Sequence, residues 1–223
     1  MVMRTSRPKI LKETRREIEE KAPPPWTSLG PHDWLSEESS AEYDTLFDSG
    51  EPFPIYICDN AEKKIREHAE KYAHRRLEVM GFMLGEVSIW KGKIYSVIRD
   101  VVTTELKSSS SKVRFDPEAF PKLFHELDDS GFDYILVGWY HSHPGHTCFL
   151  SKTDLDTQRS MFDQPYHSAL VIDPINCDVK VFRLSGQGHE EVPFAVFRQA
   201  EKKSAVARAP RRRKLKVEPA TTI

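Results

Sequence analysis

Cysteine is scarce in this sequence: Cys58, Cys148 and Cys177 are the only three in 223 residues. So sparse and odd a set provides no disulfide framework and fits a reducing setting, so a cytoplasmic location is expected. Long hydrophobic runs are lacking too. No stretch approaches the roughly 18 to 20 apolar residues of a membrane span, and Met1 to Glu20 is strongly charged, without the apolar centre of a secretory signal. A membrane is therefore not an expected partner. Nor is there an excess of either charge. Thirty-three Lys and Arg against 34 Asp and Glu leave a net charge of -1, so the chain as a whole is no polycation and nucleic acid is not an expected partner. No internal repeat is visible.

What is present is an ordinary balance of 39% hydrophobic and 30% charged residues, enough for one domain with extensions. We expect an N-terminal extension over 1–53, partly helical or disordered, a catalytic domain over 54–200 and a basic disordered tail over 201–223. Lys9 to Lys21 reads as a short helix between Pro8 and Pro23. Gly30 to Glu51 is acidic and turn-rich but holds Trp34, Leu35, Tyr43, Leu46 and Phe47. It is either a docking arm for a partner or substrate, or a segment that wraps its own domain or stays loose. Pro54 to Cys58 reads as a strand, and Asp59 or Asn60 starts a helix to about Arg76. Strands over Val79–Val87 and Lys93–Val102 flank a turn at Lys91-Gly92. Phe120, Leu123, Phe124 and Leu127 form the stripe of a helix after Pro117. Strands at Ser168–Ile172 and Val179–Leu184 complete a mixed sheet with helices packed on it, an α/β fold.

The most informative stretch lies between them. Tyr134-Ile-Leu-Val-Gly-Trp-Tyr140 is an almost unbroken apolar and aromatic run, which reads as a buried strand. The strand continues into His141-Ser142-His143, whose alternation points both imidazoles to one side. After seven intervening residues Ser151-Lys-Thr-Asp154 opens a helix and puts Ser151 and Asp154 on one face. Should that face abut the strand tip, two imidazoles and a carboxylate converge, and three ligands plus water is the catalytic form of a zinc site. Taken alone, S-x-x-D is also a helix capping box. His146, in the loop, is a competing ligand or a substrate-side residue. The chemistry needs a general base, and Glu78 is the best candidate.

These residues resemble the JAMM (MPN+) metalloprotease family. Glu78-Val-Met-Gly-Phe-Met-Leu-Gly-Glu86 supplies the upstream half of its motif, and Gly138-Trp-Tyr-His-Ser-His-Pro-Gly145, with Cys148 and Leu150 before Ser151, the downstream half. The surroundings are most similar to the deubiquitinating branch of the proteasome lid, as a stand-alone homologue, and the likeness runs from about Pro54 to Ser185. It implies an MPN domain, a mixed central sheet flanked by helices and related to the cytidine deaminases. It implies one catalytic zinc ion on His141, His143 and Asp154, Glu78 as general base and Ser151 as oxyanion donor. A second zinc is not expected, since the region after the motif helix holds a single cysteine, Cys177, with His167 and His189. The substrate implied is ubiquitin or a ubiquitin-like protein, cut after its Gly-Gly terminus. Association with a proteasome or an AAA+ ATPase is implied as well, although the lid member continues into helices where this sequence has a short basic tail, so permanent incorporation is not expected. In the family an insertion beside the active site contacts the extended tail of ubiquitin; Thr103, Thr104, Val113 and Phe115 are the matching candidates for strand pairing with that tail. The alternatives are a peptidase for a sulfur-carrier protein and a non-catalytic scaffold. A nucleic-acid deaminase is excluded because its H-x-E and P-C-x-x-C ligands are absent. A packing role is expected for Cys148.

Overall fold

The computed structural model describes residues 18–103 and 134–198. The expected helix after Pro117, the candidates Thr104, Val113 and Phe115, the basic tail and most of the expected N-terminal helix lie outside them. The described residues form strands β1 (Leu29–Gly30), β2 (Ile55–Cys58), β3 (Met80–Trp90), β4 (Lys93–Thr103), β5 (Ile135–Ser142), β6 (Ser168–Asp173), β7 (Asp178–Ser185), β8 (Gly188–Glu191) and β9 (Phe194–Phe197). Three α-helices join them: α1 (Glu37–Ser49), α2 (Asp59–Ala73) and α3 (Lys152–Met161).

The strands make one sheet in the order β1-β9-β2-β4-β3-β5-β6-β7-β8. Pairs β2–β4, β2–β9 and β5–β6 are parallel and the others antiparallel. The sheet is mixed, as expected. Only Val192 and Pro193 separate β8 from β9, which belong near opposite ends of the strand order. A step that short spans about 10 Å at most, so the sheet must curl until its ends approach.

Both faces of the central strands are buried, which explains their apolar runs. On β6, Leu170 and Ile172 join the larger core with Ile57, Ile65 and Ala69 of β2 and α2. Ala169 and Val171 point the other way, into a smaller core with Met80, Phe82, Trp139 and Phe162.

The acidic segment after Gly30 packs on its own domain. Tyr43 is buried, and Trp34, Leu35, Leu46 and Phe47 lie against the larger core. Tyr43 and Phe53 rings sit 4.9 Å apart. The segment includes a helix, α1, in place of turns. Its signals were present: Ser36 accepts from the Ser39 N–H at the N-cap, and Gly50 closes the helix at φ 67°. The expected helix ending at Lys21 is not found over 18–21. Glu20 instead bridges Ile89, the Lys21 N–H donates to the Ile89 carbonyl, and the Ile89 N–H donates to the Glu19 carbonyl. The open flank of β3 satisfies these backbone groups, which a thin apolar stripe on a helix did not outweigh.

Candidate metal centre

A bulge decides which face of β5 the site occupies. In the β3–β5 ladder Met83 pairs with Gly138 and Leu84 with Leu136, so Val137 is an extra residue. Such an insertion re-aims every side chain beyond it. Val137 faces the larger core, and Trp139 consequently faces the smaller one. Gly138 makes the bulge at φ 154°, and a Cβ there would lie 2.1 Å from the Ser168 carbonyl oxygen. Trp139 and His141 share a face, their rings stacked at 4.4 Å, and the His143 ring lies 4.7 Å from that of His141. Tyr140 points to the opposite face, where its hydroxyl meets His68 Nδ1 at 2.9 Å.

α3 supplies the third group. Ser151 is its N-cap and forms the full capping box: Ser151 Oγ accepts from the Asp154 N–H at 3.2 Å, and Asp154 Oδ2 accepts from the Ser151 N–H at 2.8 Å. The same Oδ2 lies 3.6 Å from His141 Nε2 and 3.7 Å from His143 Nε2. One ligand atom from each of the three residues falls within 4.8 Å of the others. A tetrahedral zinc with bonds of about 2.0–2.1 Å needs its ligand atoms roughly 3.4 Å apart, so small side-chain adjustments complete the set. His146 is exposed and stands outside this group.

Two observations show that these residues suit a cation. Both ring nitrogens of His141 are buried without a hydrogen-bond partner; orphaned polar groups cost about 1–3 kcal/mol each, and a cation on Nε2 would account for that nitrogen. Second, His143 Nδ1 meets the Thr147 carbonyl oxygen at 3.3 Å. A carbonyl only accepts, so Nδ1 carries a proton and Nε2 is the nitrogen that faces Asp154, leaving Nε2 as the atom that would take a cation, as in a ligand oriented through its other nitrogen.

The electrostatics agree. Burial pushes the His141 imidazole down, against the pull of Asp154. Burial acts the same way on His143, but hydrogen bonding and charge from Asp154, with Glu78 behind, raise it on balance. Burial alone would raise Asp154, yet the two imidazoles and the Ser151 hydroxyl hold it well below the usual carboxylate range.

Glu78 lies two residues before the neighbouring strand, β3. The Val79 N–H donates to Ser142 Oγ and the Ser142 N–H to the Val79 carbonyl, each at 2.9 Å. Met80 pairs with His141, so the register brings half-buried Glu78 to the level of His143, and its charge acts on both imidazoles. Thr103 ends β4 opposite Gly81, at this same end of the sheet, and is exposed. Cys148 is buried, donates to the Val171 carbonyl at 3.2 Å, and has its thiol pushed up by burial, a packing role.

Reasoning from the sequence missed three supporting residues. Trp139 stacks on His141, and its indole N–H donates to Oε1 of fully buried Gln158 at 2.6 Å. Asp173 is a buried carboxylate that holds the loop after His143. For Gln158 and Asp173 the signal is a buried polar residue with no charge partner, and it appears only once the chain is folded.

Residues 54–164 match the family model described as JAB1/Mov34/MPN/PAD-1 ubiquitin protease. The chain carries this MPN domain and belongs to that family. Among curated relatives, the 26S proteasome non-ATPase regulatory subunit 14 of Dictyostelium discoideum is 39% identical over 124 residues, covering 54% of this chain and 39% of its own length. Ubiquitin carboxyl-terminal hydrolase RPN11 of Saccharomyces cerevisiae is 38% identical over 125 residues, with the same two coverages. COP9 signalosome complex subunit 5 of Debaryomyces hansenii is 35% identical over 128 residues, covering 55% of this chain and 26% of its own. The match thus spans about two fifths or less of these relatives. A solution structure of a Desulfitobacterium hafniense protein superposes with a TM-score of 0.51 at 19% identity, covering 66% of this chain and 95% of that one, which speaks to the fold.

Proposed function

We propose that this protein is a zinc-dependent isopeptidase that releases ubiquitin or a ubiquitin-like protein by cutting after its Gly-Gly terminus. The observation that carries this reading is the convergence of His141, His143 and Asp154 within 4.8 Å. His141 and His143 through Nε2, with one Asp154 oxygen, would hold the ion. When bound, zinc brings the pKa of a water it holds to about 7 and polarises a carbonyl.

The remaining work falls to the chain's own groups. Glu78 takes a proton from the attacking water and passes it to the departing lysine amine. Ser151, fixed at the head of α3, donates a hydrogen bond to the oxyanion as it develops. Asp154, held ionised by its neighbours, neutralises the positive charge around it. No covalent intermediate is required, so none of the cysteines acts as a nucleophile. Thr103, at the site's end of β4, is placed to meet the extended substrate tail. The names of the relatives favour ubiquitin or a close relative over a sulfur-carrier protein, and we extend to this chain an association with a proteasome or AAA+ ATPase.

The test is cleavage of a ubiquitin precursor, a lysine-linked ubiquitin conjugate and a sulfur-carrier fusion by the zinc-loaded protein, with and without chelator. Chelator-sensitive release of ubiquitin, abolished in Glu78→Gln, is the expected result. Chelator-resistant cleavage, or a folded protein that takes up no zinc, overturns the reading; cleavage of the sulfur-carrier fusion alone reassigns the substrate.

A further inference from the structure

His141 lies on β5 and His143 just past its end, and different contacts hold them. His141 rests on Trp139. His143 packs beside the Phe149 ring at 4.8 Å, and its Nδ1 donates to the Thr147 carbonyl oxygen. Thr147 adopts φ 64°, a conformation seldom taken by a β-branched residue. Without an external hold, its carbonyl would not stay where His143 needs it.

The hold is Asp173, at the end of β6 and fully buried. Its carboxylate accepts five hydrogen bonds. Oδ1 takes the N–H groups of Gly145, Ile175 and Asn176 at 2.8, 2.9 and 3.2 Å. Oδ2 takes the Thr147 N–H at 2.8 Å and the Asn176 side-chain amide at 2.7 Å. The donors at 175 and 176 belong to the turn that Asp173 opens, and a turn residue needs no others. The bonds to Gly145 and Thr147 reach back 28 and 26 residues into the loop that follows His143. Across the β6–β7 ladder, Asp178 pairs with Asp173 and takes the Cys148 N–H at 3.1 Å. Two carboxylates from one hairpin therefore pin the 145–148 loop.

We propose that Asp173 is the positioning residue for His143: by clamping Thr147 it aims the carbonyl that binds Nδ1–H and so presents the Nε2 lone pair to the cation site. This rests on the metal-centre reading above and adds to it a control of ligand geometry from a strand that supplies no ligand. Asp173 touches neither substrate nor ion.

The experiment uses the full chain, wild type and Asp173→Asn, with two readouts. One is the imidazole tautomer of His143 in metal-free protein, read from long-range proton–nitrogen NMR correlations assigned with His143→Gln. The other is zinc affinity by chelator competition. An amide in place of the carboxylate cannot accept at both positions, so Asp173→Asn should lose the Nδ1–H preference and bind zinc about 10- to 100-fold more weakly, as for other groups that orient metal ligands. Ser36→Ala, which removes the distant N-cap of α1, controls for lost stability and should change neither readout. Should Asp173→Asn fail to fold, Asp173→Glu takes its place, with its oxygens displaced by a methylene. Wild-type tautomer and affinity in the Asp173 variant, or an equal loss of affinity in Ser36→Ala, overturns the proposal. So does an Nε2–H tautomer of His143 in the wild-type protein, even if zinc binds. Wild-type protein that binds no zinc sinks the metal-centre reading instead, and the metal-free tautomers still decide the role of Asp173.

Discussion

The Trp139 indole lies flat against the His141 imidazole, 4.4 Å between ring centres and 12° between planes. Gln158 fixes the indole through its N–H and then donates its own amide to the Phe162 carbonyl at 2.9 Å. The proposed metal ligand on β5 is thus tied to the end of α3. Gln158→Leu preserves the volume but leaves the indole N–H and the Phe162 carbonyl without these partners. We expect about 1–3 kcal/mol of lost stability in denaturant unfolding, together with weaker zinc binding. An unchanged midpoint and unchanged affinity would show that this link is dispensable.

Glu78→Gln and Asp154→Asn should fail in opposite ways. The first keeps its zinc, measured by elemental analysis, and loses about 10²- to 10⁴-fold in turnover, the usual contribution of a positioned general base. The second loses the metal itself, because the oxygen 3.6 and 3.7 Å from the two imidazoles no longer carries charge. Zinc at full stoichiometry in Asp154→Asn would remove Asp154 from the ligand set.

Ser151 has two roles that Ser151→Ala separates. As N-cap its loss costs about 0.5–2 kcal/mol, visible in thermal unfolding of metal-free protein. As oxyanion donor its loss lowers kcat by about 10²- to 10³-fold with zinc retained. A stability loss with kcat unchanged would leave Ser151 as a cap alone.

His167 is buried and His68 half-buried, and desolvation brings each imidazole down to about 4. Their folded values lie below the unfolded one, near 6.5. The unfolded chain therefore binds more protons as the pH falls, and the stability these residues contribute is complete above about pH 6.5 and lost toward pH 4. Unfolding free energy of metal-free protein should decline across that window. His68→Gln, which retains a partner for the Tyr140 hydroxyl, should flatten the decline; an equal slope in the variant would place its origin elsewhere.

Much of the site was legible because its signals are local. Alternation along β5 put His141 and His143 on one side, and a three-residue interval put Ser151 and Asp154 on one turn of helix. Both capping-box bonds formed as expected, and the box orients the carboxylate toward the imidazoles, so the structural and functional readings of S-x-x-D proved compatible. The N-terminal region was less legible. Its acidic composition obscured the stripe Tyr43, Leu46 and Phe47 at helical spacing, and β1 finds its partner β9 more than 160 residues later, a pairing no local pattern encodes.

By itself, the sequence determined the kind of site: the ligand types, their spacing and the strand and helix that carry them, since periodicities of two and 3.6 residues act over a few positions. The tertiary structure decided where the site faces and what holds it. The extra residue at Val137 turned His141 and His143 toward α3, antiparallel pairing of β3 with β5 brought Glu78, just before β3, alongside, and the buried carboxylate of Asp173 closed on a loop 26 residues back. Each depends on hydrogen bonds between segments distant in the chain, which have no partner until the sheet has formed.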